Sequence, residues 1–175
     1  LLWWSERDGW AHLYRYGQDG MPKRQLTEGA WSVRRIVGID EAAGVAYVMA
    51  NARQPEEDPY YQHLYRVNLD GTGVELLYPG NFDHRVYIGE SNRFFVDNYS
   101  RVNTRPSTAL VSVDGKRVLD LEEADFSQLM AAGYEFPEPY SVKAEDRITD
   151  LYGVMYKPFD FDPTKKYPII EYVYP

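Results

Sequence analysis

The sequence predicts a mainly β protein that contains part of a β-propeller. The string HLYR occurs at residues 12–15 and again at residues 63–66, a spacing of 51 residues. An Asp-Gly pair follows each copy, at residues 19–20 and 70–71, and a weaker third copy is followed by Asp-Gly at residues 114–115. Repeats of about 40–50 residues that contain several short strands are typical of propeller blades. Aromatic residues make up 15% of the chain, which also favours strands over helices.

Each repeat contains about four strand-like segments, as one blade requires. The strings LWW at residues 2–4, VAYV at 45–48 and RFFV at 93–96 precede the three copies, and a further segment at 32–38 leads into a turn at 40–44. Because Asp-Gly supplies the positive φ angles of a tight hairpin, we expect antiparallel neighbours on either side of each pair. The alternative is a β-sandwich, but sandwich strands recur every ~8–12 residues without a longer period.

The pattern changes after Leu119. We predict a short helix over residues 120–133, with Asp120 and Glu123 as a capping box and Gly133 at its end. The apolar side chains that share one face of this helix are Phe126, Leu129 and Met130.

Two further strands are predicted at residues 151–156 and 167–173. The second is a nearly continuous apolar run, which is typical of a strand buried on both faces of a sheet. Such a sheet needs covering helices that this sequence lacks, and the chain starts with LLWW, which resembles the inside of a strand, so we expect both ends of the chain to be cut. The predicted organisation is propeller blades at residues 1–119, a helix-bearing connection at 120–147 and the first strands of a second domain at 148–175.

The composition excludes several classes of function. The net charge is −8, and nucleic-acid or anionic-membrane binding needs clustered positive charge instead. The chain has no cysteine, which excludes disulfides, thiolate catalysis and cysteine-ligated metals. No apolar run approaches the ~20 residues of a membrane span.

No complete catalytic site is visible in the sequence. The nucleophile pattern Gly-x-Ser-x-Gly is absent, and its nearest string surrounds Ser91, which we interpret as a plain turn. His12 and His63 occupy equivalent positions of the repeat, which favours a structural role. We interpret His84 as a surface residue or a hydrogen-bonding link between blades, and the acidic run at residues 56–58 as a solvated loop tip. Histidine spacing predicts no metal site.

Four groups of strings, in order along the chain, resemble the dipeptidyl peptidase IV branch of the prolyl oligopeptidase family. They are WSERDGW at 4–10 with HLYRY at 12–16 and LTxGxWxV at 26–33; HLYRV at 63–67 with LDG at 69–71; FFVDNYS at 94–100 with RP at 105–106; and LYG at 151–153 through PxDFDP at 158–163 to KYPII at 166–170 and VY at 173–174.

The resemblance implies a serine exopeptidase that releases dipeptides from peptide N-termini, usually after proline or alanine, without a cofactor. It implies an eight-bladed propeller that gates a chamber over an α/β-hydrolase domain, a homodimeric full-length enzyme, and a periplasmic or extracellular location. By this resemblance the chain contains the last blades and the first hydrolase strands. The Ser, Asp and His of the triad and the acidic pair that holds the substrate's amino terminus lie outside it, so we expect the chain alone to be inactive.

One residue of this chain matches a catalytic position of the family. The resemblance implies that the hydroxyl of Tyr174 helps to form the oxyanion hole. Two alternatives remain open: a non-enzymatic propeller that binds proteins or glycans, and a related peptidase with acylaminoacyl or oligopeptidase specificity.

Overall fold

The computed structural model describes residues 1–173, which fall into two compact units. The first unit, Leu1–Asp125, contains three antiparallel sheets. The second unit begins at Phe126 and contains a helical turn and a two-stranded hairpin. The chain is therefore mainly β, as predicted.

Each sheet of the first unit is a meander in which strands adjacent in the sequence are hydrogen-bonded neighbours. Blade 1 contains β1 (Leu2–Ser5), β2 (His12–Tyr16) and β3 (Pro22–Gln25); blade 2 contains β4 (Ser32–Asp40), β5 (Val45–Asn51), β6 (Gln62–Asn68) and β7 (Val74–Leu76); blade 3 contains β8 (Asp83–Ile88), β9 (Phe94–Ser100), β10 (Ser107–Ser112) and β11 (Arg117–Glu123).

The sequence repeat corresponds to the last but one strand of each blade. The two HLYR copies lie in β2 and β6, and the weaker third copy lies in β10. The glycine of each following Asp-Gly pair has a positive φ angle, 73° at Gly20, 75° at Gly71 and 81° at Gly115. The prediction of equivalent hairpins in successive blades is confirmed.

Apolar side chains fill the two layers between adjacent blades. The layer between blades 1 and 2 is built around Leu13, Trp31 and Tyr65, and the layer between blades 2 and 3 around Leu64 and Phe95. All five side chains are buried. Burying an aliphatic or aromatic side chain contributes about 1.5–3 kcal/mol, so these layers hold the blades against each other.

Strand β8 is not among the predicted strands. Its buried residues His84 and Val86 alternate with the exposed residues Arg85 and Tyr87. This alternation is the usual pattern of a half-buried strand, but a histidine in a buried position weakens it. The structure thus gives blade 3 its first strand and places His84 in a sheet rather than in a loop.

The predicted helix over residues 120–133 is largely wrong. Asp120 and Glu123 lie in β11, where they pair with Ala109 and Ser107 of β10, so they form no capping box. Here the backbone hydrogen bonds between β11 and the adjacent strand β10 outweigh the local capping signal. Helix α1 is only Ser127–Ala131.

The end of α1 agrees with the prediction that Gly133 terminates the helix. Gly133 has a φ angle of 89°, and its N–H donates to the carbonyl of Met130 at 3.0 Å. A glycine in this conformation terminates a helix because it has no Cβ to clash.

The second unit contains one hairpin, formed by β12 (Glu138–Lys143) and β13 (Asp150–Met155). Strand β13 confirms the first strand predicted in this region. The second, at residues 167–173, does not form within the described residues, and Ile169 and Ile170 are 91% and 95% exposed. A strand needs a partner for its backbone groups, and the described part of the chain supplies none to this segment.

Candidate functional site

The two ends of the blades differ in the length of their connections. In a meander, alternate connections lie at opposite ends of the sheet. One end carries the tight turns at 17–21, 41–44, 69–73, 89–93 and 113–116, whereas the other carries the longer segments at 6–11, 26–31, 52–61, 77–82 and 101–106. We call the second the long-loop end. Binding residues are most often found on loops that a rigid scaffold positions, which directs attention to this end.

The equivalent histidines of the repeat lie near the long-loop end, and His12 is fully hydrogen-bonded. Its Nδ1 lies 3.0 Å from the hydroxyl of Thr27, and its Nε2 lies 3.0 Å from the carbonyl oxygen of Gly29. The backbone N–H of Leu13 donates to the same hydroxyl at 3.0 Å. A neutral imidazole with its proton on Nε2 satisfies every one of these groups. The structural role predicted for His12 agrees with this arrangement.

His63 has different surroundings although its place in the repeat is the same. Its ring is buried, and neither of its nitrogens has a hydrogen-bond partner within the described residues. The Nε2 atom lies 2.9 Å from Oε2 of Glu57, but not in hydrogen-bonding geometry. Burial, with a smaller contribution from His84, lowers the pKa of His63 to about 4. The ring is therefore neutral at physiological pH.

His84 forms a buried pair with Asp97. Nδ1 of His84 lies 2.7 Å from Oδ2 of Asp97, and Nε2 lies 3.2 Å from the carbonyl oxygen of Gly80. Both neighbours are acceptors, so both ring nitrogens must donate, which requires a protonated imidazolium. Burial lowers the pKa of His84, but the bond and charge of Asp97 outweigh it and leave the pKa raised. Since Asp97 is fully buried, this ion pair is almost completely desolvated.

Glu57 belongs to a loop with an unusual backbone. This loop, residues 52–61, which we call the acidic loop, connects β5 to β6. Ala52 and Glu56 have φ angles of 62° and 65°, values that residues with a Cβ seldom adopt. Burial raises the pKa of Glu57, although the charges of His84 and Arg101 oppose the increase. The acidic loop is therefore not the fully solvated tip predicted, because Glu57 points into the protein.

The sequence did not reveal this cluster, which we call the histidine seam: Glu57, His63, His84 and Asp97. The sequence of β9 did contain a signal. Asp97 lies two residues after the apolar Phe95, and alternate residues of a strand share one face, so Asp97 is expected to face inward with Phe95. A buried carboxylate requires a partner. That partner is His84 on the neighbouring strand β8, two residues before Val86, the residue that pairs directly with Asp97.

The predicted catalytic residue, Tyr174, lies outside the described residues. Ser91 lies in the turn between β8 and β9. Across residues 1–173, no group of three or more His, Cys, Asp or Glu side chains is arranged to hold a metal ion. The same residues form no helix that is long and apolar enough to cross a membrane.

The family model for the dipeptidyl peptidase IV N-terminal region matches residues 1–106. The chain belongs to this family. The match ends just before β10 and includes both HLYR repeats and the whole histidine seam. The resemblance identified from the sequence is therefore confirmed.

Individual members of the dipeptidyl peptidase IV family are similar over most of this chain. Dipeptidyl-aminopeptidase B of Aspergillus niger is 29% identical over 177 residues, which cover 95% of this chain and 19% of that protein. Human dipeptidyl peptidase 8 is 28% identical over 161 residues, 85% of this chain and 17% of that protein. The chain thus spans about a fifth of the length of these relatives.

A solved structure shares the fold. The crystal structure of dipeptidyl peptidase 4 from Porphyromonas gingivalis matches 95% of this chain and 23% of its own, with a TM-score of 0.77 and 25% identity. The three sheets are therefore blades of the type found in the propeller region of this family.

Proposed function

We propose that this chain is part of a serine exopeptidase that releases N-terminal dipeptides of the X-Pro or X-Ala type from peptides. The observation that carries the proposal is the match of residues 1–106 to the dipeptidyl peptidase IV family. The relatives named dipeptidyl peptidase or dipeptidyl-aminopeptidase are similar to it over 85–95% of its length, which supports the same activity for the whole protein.

Within that enzyme, the three blades are proposed to be the last blades of an eight-bladed propeller that gates and positions the substrate, and they extend to the end of β11 at Glu123 rather than to the predicted boundary at Leu119. The segment between β11 and residue 147 is the proposed connection, and residues 148–175 are proposed to provide the first strands of the α/β-hydrolase domain. The long-loop end supports this role, since its longer segments form the surface best able to meet a peptide. The working unit is proposed to be a homodimer.

Tyr174 is the proposed catalytic contribution of this chain. When a serine attacks a peptide carbonyl, negative charge develops on the carbonyl oxygen, and a phenol hydroxyl can donate a hydrogen bond to it. Losing one such donor typically raises the barrier by ~3–4 kcal/mol. The nucleophile, its histidine base and the third triad residue are expected in other parts of the enzyme, so the chain alone should not hydrolyse peptides.

The test uses the full-length polypeptide and a chromogenic Gly-Pro substrate. Tyr174→Phe should lower kcat by about 10²–10³-fold with little change in KM, because the hydroxyl acts mainly in the transition state. Tyr87→Phe is the matched control, since Tyr87 is exposed on β8, and it should leave kcat unchanged.

Two results would contradict the proposal. Measurable turnover by the 175-residue chain alone would mean that its own residues form a complete site. A full-length enzyme that cleaves acylated amino acids but not Gly-Pro would assign the protein to a different peptidase specificity. An unchanged kcat in Tyr174→Phe would refute the oxyanion role only.

A further inference from the structure

The histidine seam joins blade 2 to blade 3 through side chains that carry charge. Glu57 and His63 come from blade 2, whereas His84 and Asp97 come from blade 3. The rings of His63 and His84 lie 5.0 Å apart between their centroids. Because His63 is neutral, the histidine charge in the seam resides on the imidazolium of His84.

The imidazolium of His84 interacts with two carboxylates. It is bonded to Asp97 at 2.7 Å, and its charge also favours the ionised form of Glu57. Beyond the seam, Arg101 lies on the loop after β9 and favours the ionised form of Glu57 as well. Its guanidinium stacks on the ring of Phe82, 5.5 Å from the centroid, and its Nε has no hydrogen-bond partner within the described residues.

The acidic loop is held at its ends and at Gln54, whose side-chain amide donates to the hydroxyl of Tyr65 at 2.9 Å, and its backbone is strained beyond Gln54, at Glu56. The side-chain amide of Asn51 donates to the carbonyl of Pro59 at 3.0 Å, and the N–H of Gln62 donates to Asp83 at 3.0 Å. Between these anchors the left-handed backbone at Glu56 needs surrounding contacts to persist. Glu57 is the loop residue that reaches into the seam, and the charge of His84 offsets part of the cost of burying its carboxylate there.

We propose that the protonated imidazole of His84 holds the acidic loop in the seam, and that loss of this proton releases the loop. Deprotonation of His84 leaves two carboxylates, Asp97 and Glu57, in a desolvated space with one cation fewer. Like charges in such a space repel strongly, and Glu57 is the one on a loop that can move out to water. The blades are a rigid scaffold, and the loop is the part that responds to pH.

The direction of the pH dependence follows from the groups that face the seam. These are His63, His84, Asp97, Arg101, Asp83, Asp58 and Tyr61, together with Tyr78 and Tyr99, whose rings pack against His84. The pKa of His84 is raised above its ordinary 6.5, so the stabilisation it provides is complete below 6.5 and is lost as pH rises through the higher folded value.

The two other titrating groups of the seam, Glu57 and His63, respond to pH in opposite directions. The pKa of Glu57 is raised above 4.5, so its own contribution is also lost as pH rises. The pKa of His63 is lowered from 6.5 to about 4, so its contribution is lost as pH falls through that interval. The loop is therefore expected to be docked in mildly acidic solution, to begin to loosen as Glu57 ionises and to loosen further above pH 6.5 as His84 loses its proton.

The experiment is hydrogen exchange of the backbone amides in residues 52–61 of the full-length protein at about pH 6 and about pH 9, which lie below and above the ordinary pKa of histidine. Protection factors, which correct for the faster intrinsic exchange in base, are compared. In the wild type, protection should fall by about tenfold or more as the docked loop opens. Glu57→Gln has no carboxylate to expel, and its protection should change by less than about twofold over the same range.

The matched control is Glu56→Gln, which removes one carboxylate from the same loop at an exposed position. It should lose protection as the wild type does. Equal protection at both pH values in the wild type would overturn the proposal, as would a Glu56→Gln variant that behaves like Glu57→Gln.

A second measurement keeps the proposal testable if a variant folds poorly. The ring resonances of His84 in the wild-type protein should titrate above pH 6.5, together with the loss of protection in the acidic loop. A His84 that titrates at or below 6.5, or a loop that loosens at a pH unrelated to this titration, would refute the mechanism. None of these outcomes depends on peptidase activity.

Discussion

Removing Asp97 should destabilise the protein more than any exposed substitution. Asp97 is fully buried, and one of its oxygens accepts the 2.7 Å hydrogen bond from His84. Asp97→Leu leaves a buried imidazole that must either keep an uncompensated charge or give up its proton. Breaking a buried pair in this way typically costs about 3–5 kcal/mol of the free energy of unfolding, out of a total of roughly 5–15 kcal/mol.

A double-mutant cycle separates the pair from the loss of packing. His84 lies among aromatic rings, with centroids at 5.8 Å from Tyr99, 6.2 Å from Tyr78 and 6.4 Å from Phe82. A phenylalanine at this position would be an uncharged aromatic ring among the same aromatic neighbours. The double variant His84→Phe, Asp97→Leu should therefore be more stable than Asp97→Leu alone, because no buried charge is left unpaired.

The assay is equilibrium urea unfolding near pH 6, followed by tryptophan fluorescence, for the wild type, both single variants and the double variant. The reasoning would be refuted if Asp97→Leu lost less than about 1 kcal/mol. It would also be refuted if the two single effects simply added in the double variant, since additivity means that the side chains do not interact.

Two further predictions concern packing and turns. Leu64→Ala should cost about 2–5 kcal/mol of unfolding free energy because Leu64 is 1% exposed between blades 2 and 3. Leu119→Ala, at a residue that is 55% exposed, should cost less than about 0.5 kcal/mol in the same urea titration. Gly115→Ala should be more damaging than Gly20→Ala, since an added Cβ would lie 2.0 Å from the carbonyl oxygen of Leu77 at the first site and would meet nothing within 4 Å at the second. Both glycines have positive φ, so Gly20→Ala isolates the backbone strain of about 1–2 kcal/mol, and equal melting temperatures for the two variants would contradict the contact.

Much of the propeller could be predicted because its signals are local. An Asp-Gly pair fixes a hairpin through the φ angle of one residue, and alternating apolar residues fix which face of the strand is buried. The helix at residues 120–133 was wrong because a capping box is also a local signal, and the neighbouring strand β10 outweighed it. Strand β8 was missed because its inward position is occupied by a histidine whose partner lies on another strand.

The structure does not test the catalytic prediction, because Tyr174 lies outside the described residues. Tyr174 is assigned by resemblance and stays a prediction. The histidine seam, in contrast, came only from the structure, because its four side chains are spread over residues 57–97 and two blades.

By itself, the sequence determined the repeat, the hairpin turns and the family, since each depends on residues that are close together in the chain or that match in order. Only the tertiary structure distinguished the histidines. His12 and His63 are each followed by Leu-Tyr-Arg, yet Thr27 and Gly29 satisfy the first, whereas the second is buried without a hydrogen-bond partner in the described part of the chain. His84 acquires its charge from a carboxylate on the adjacent strand. The protonation state of a buried imidazole depends on the donors and acceptors packed around it, and the folding of separate segments brings those groups together.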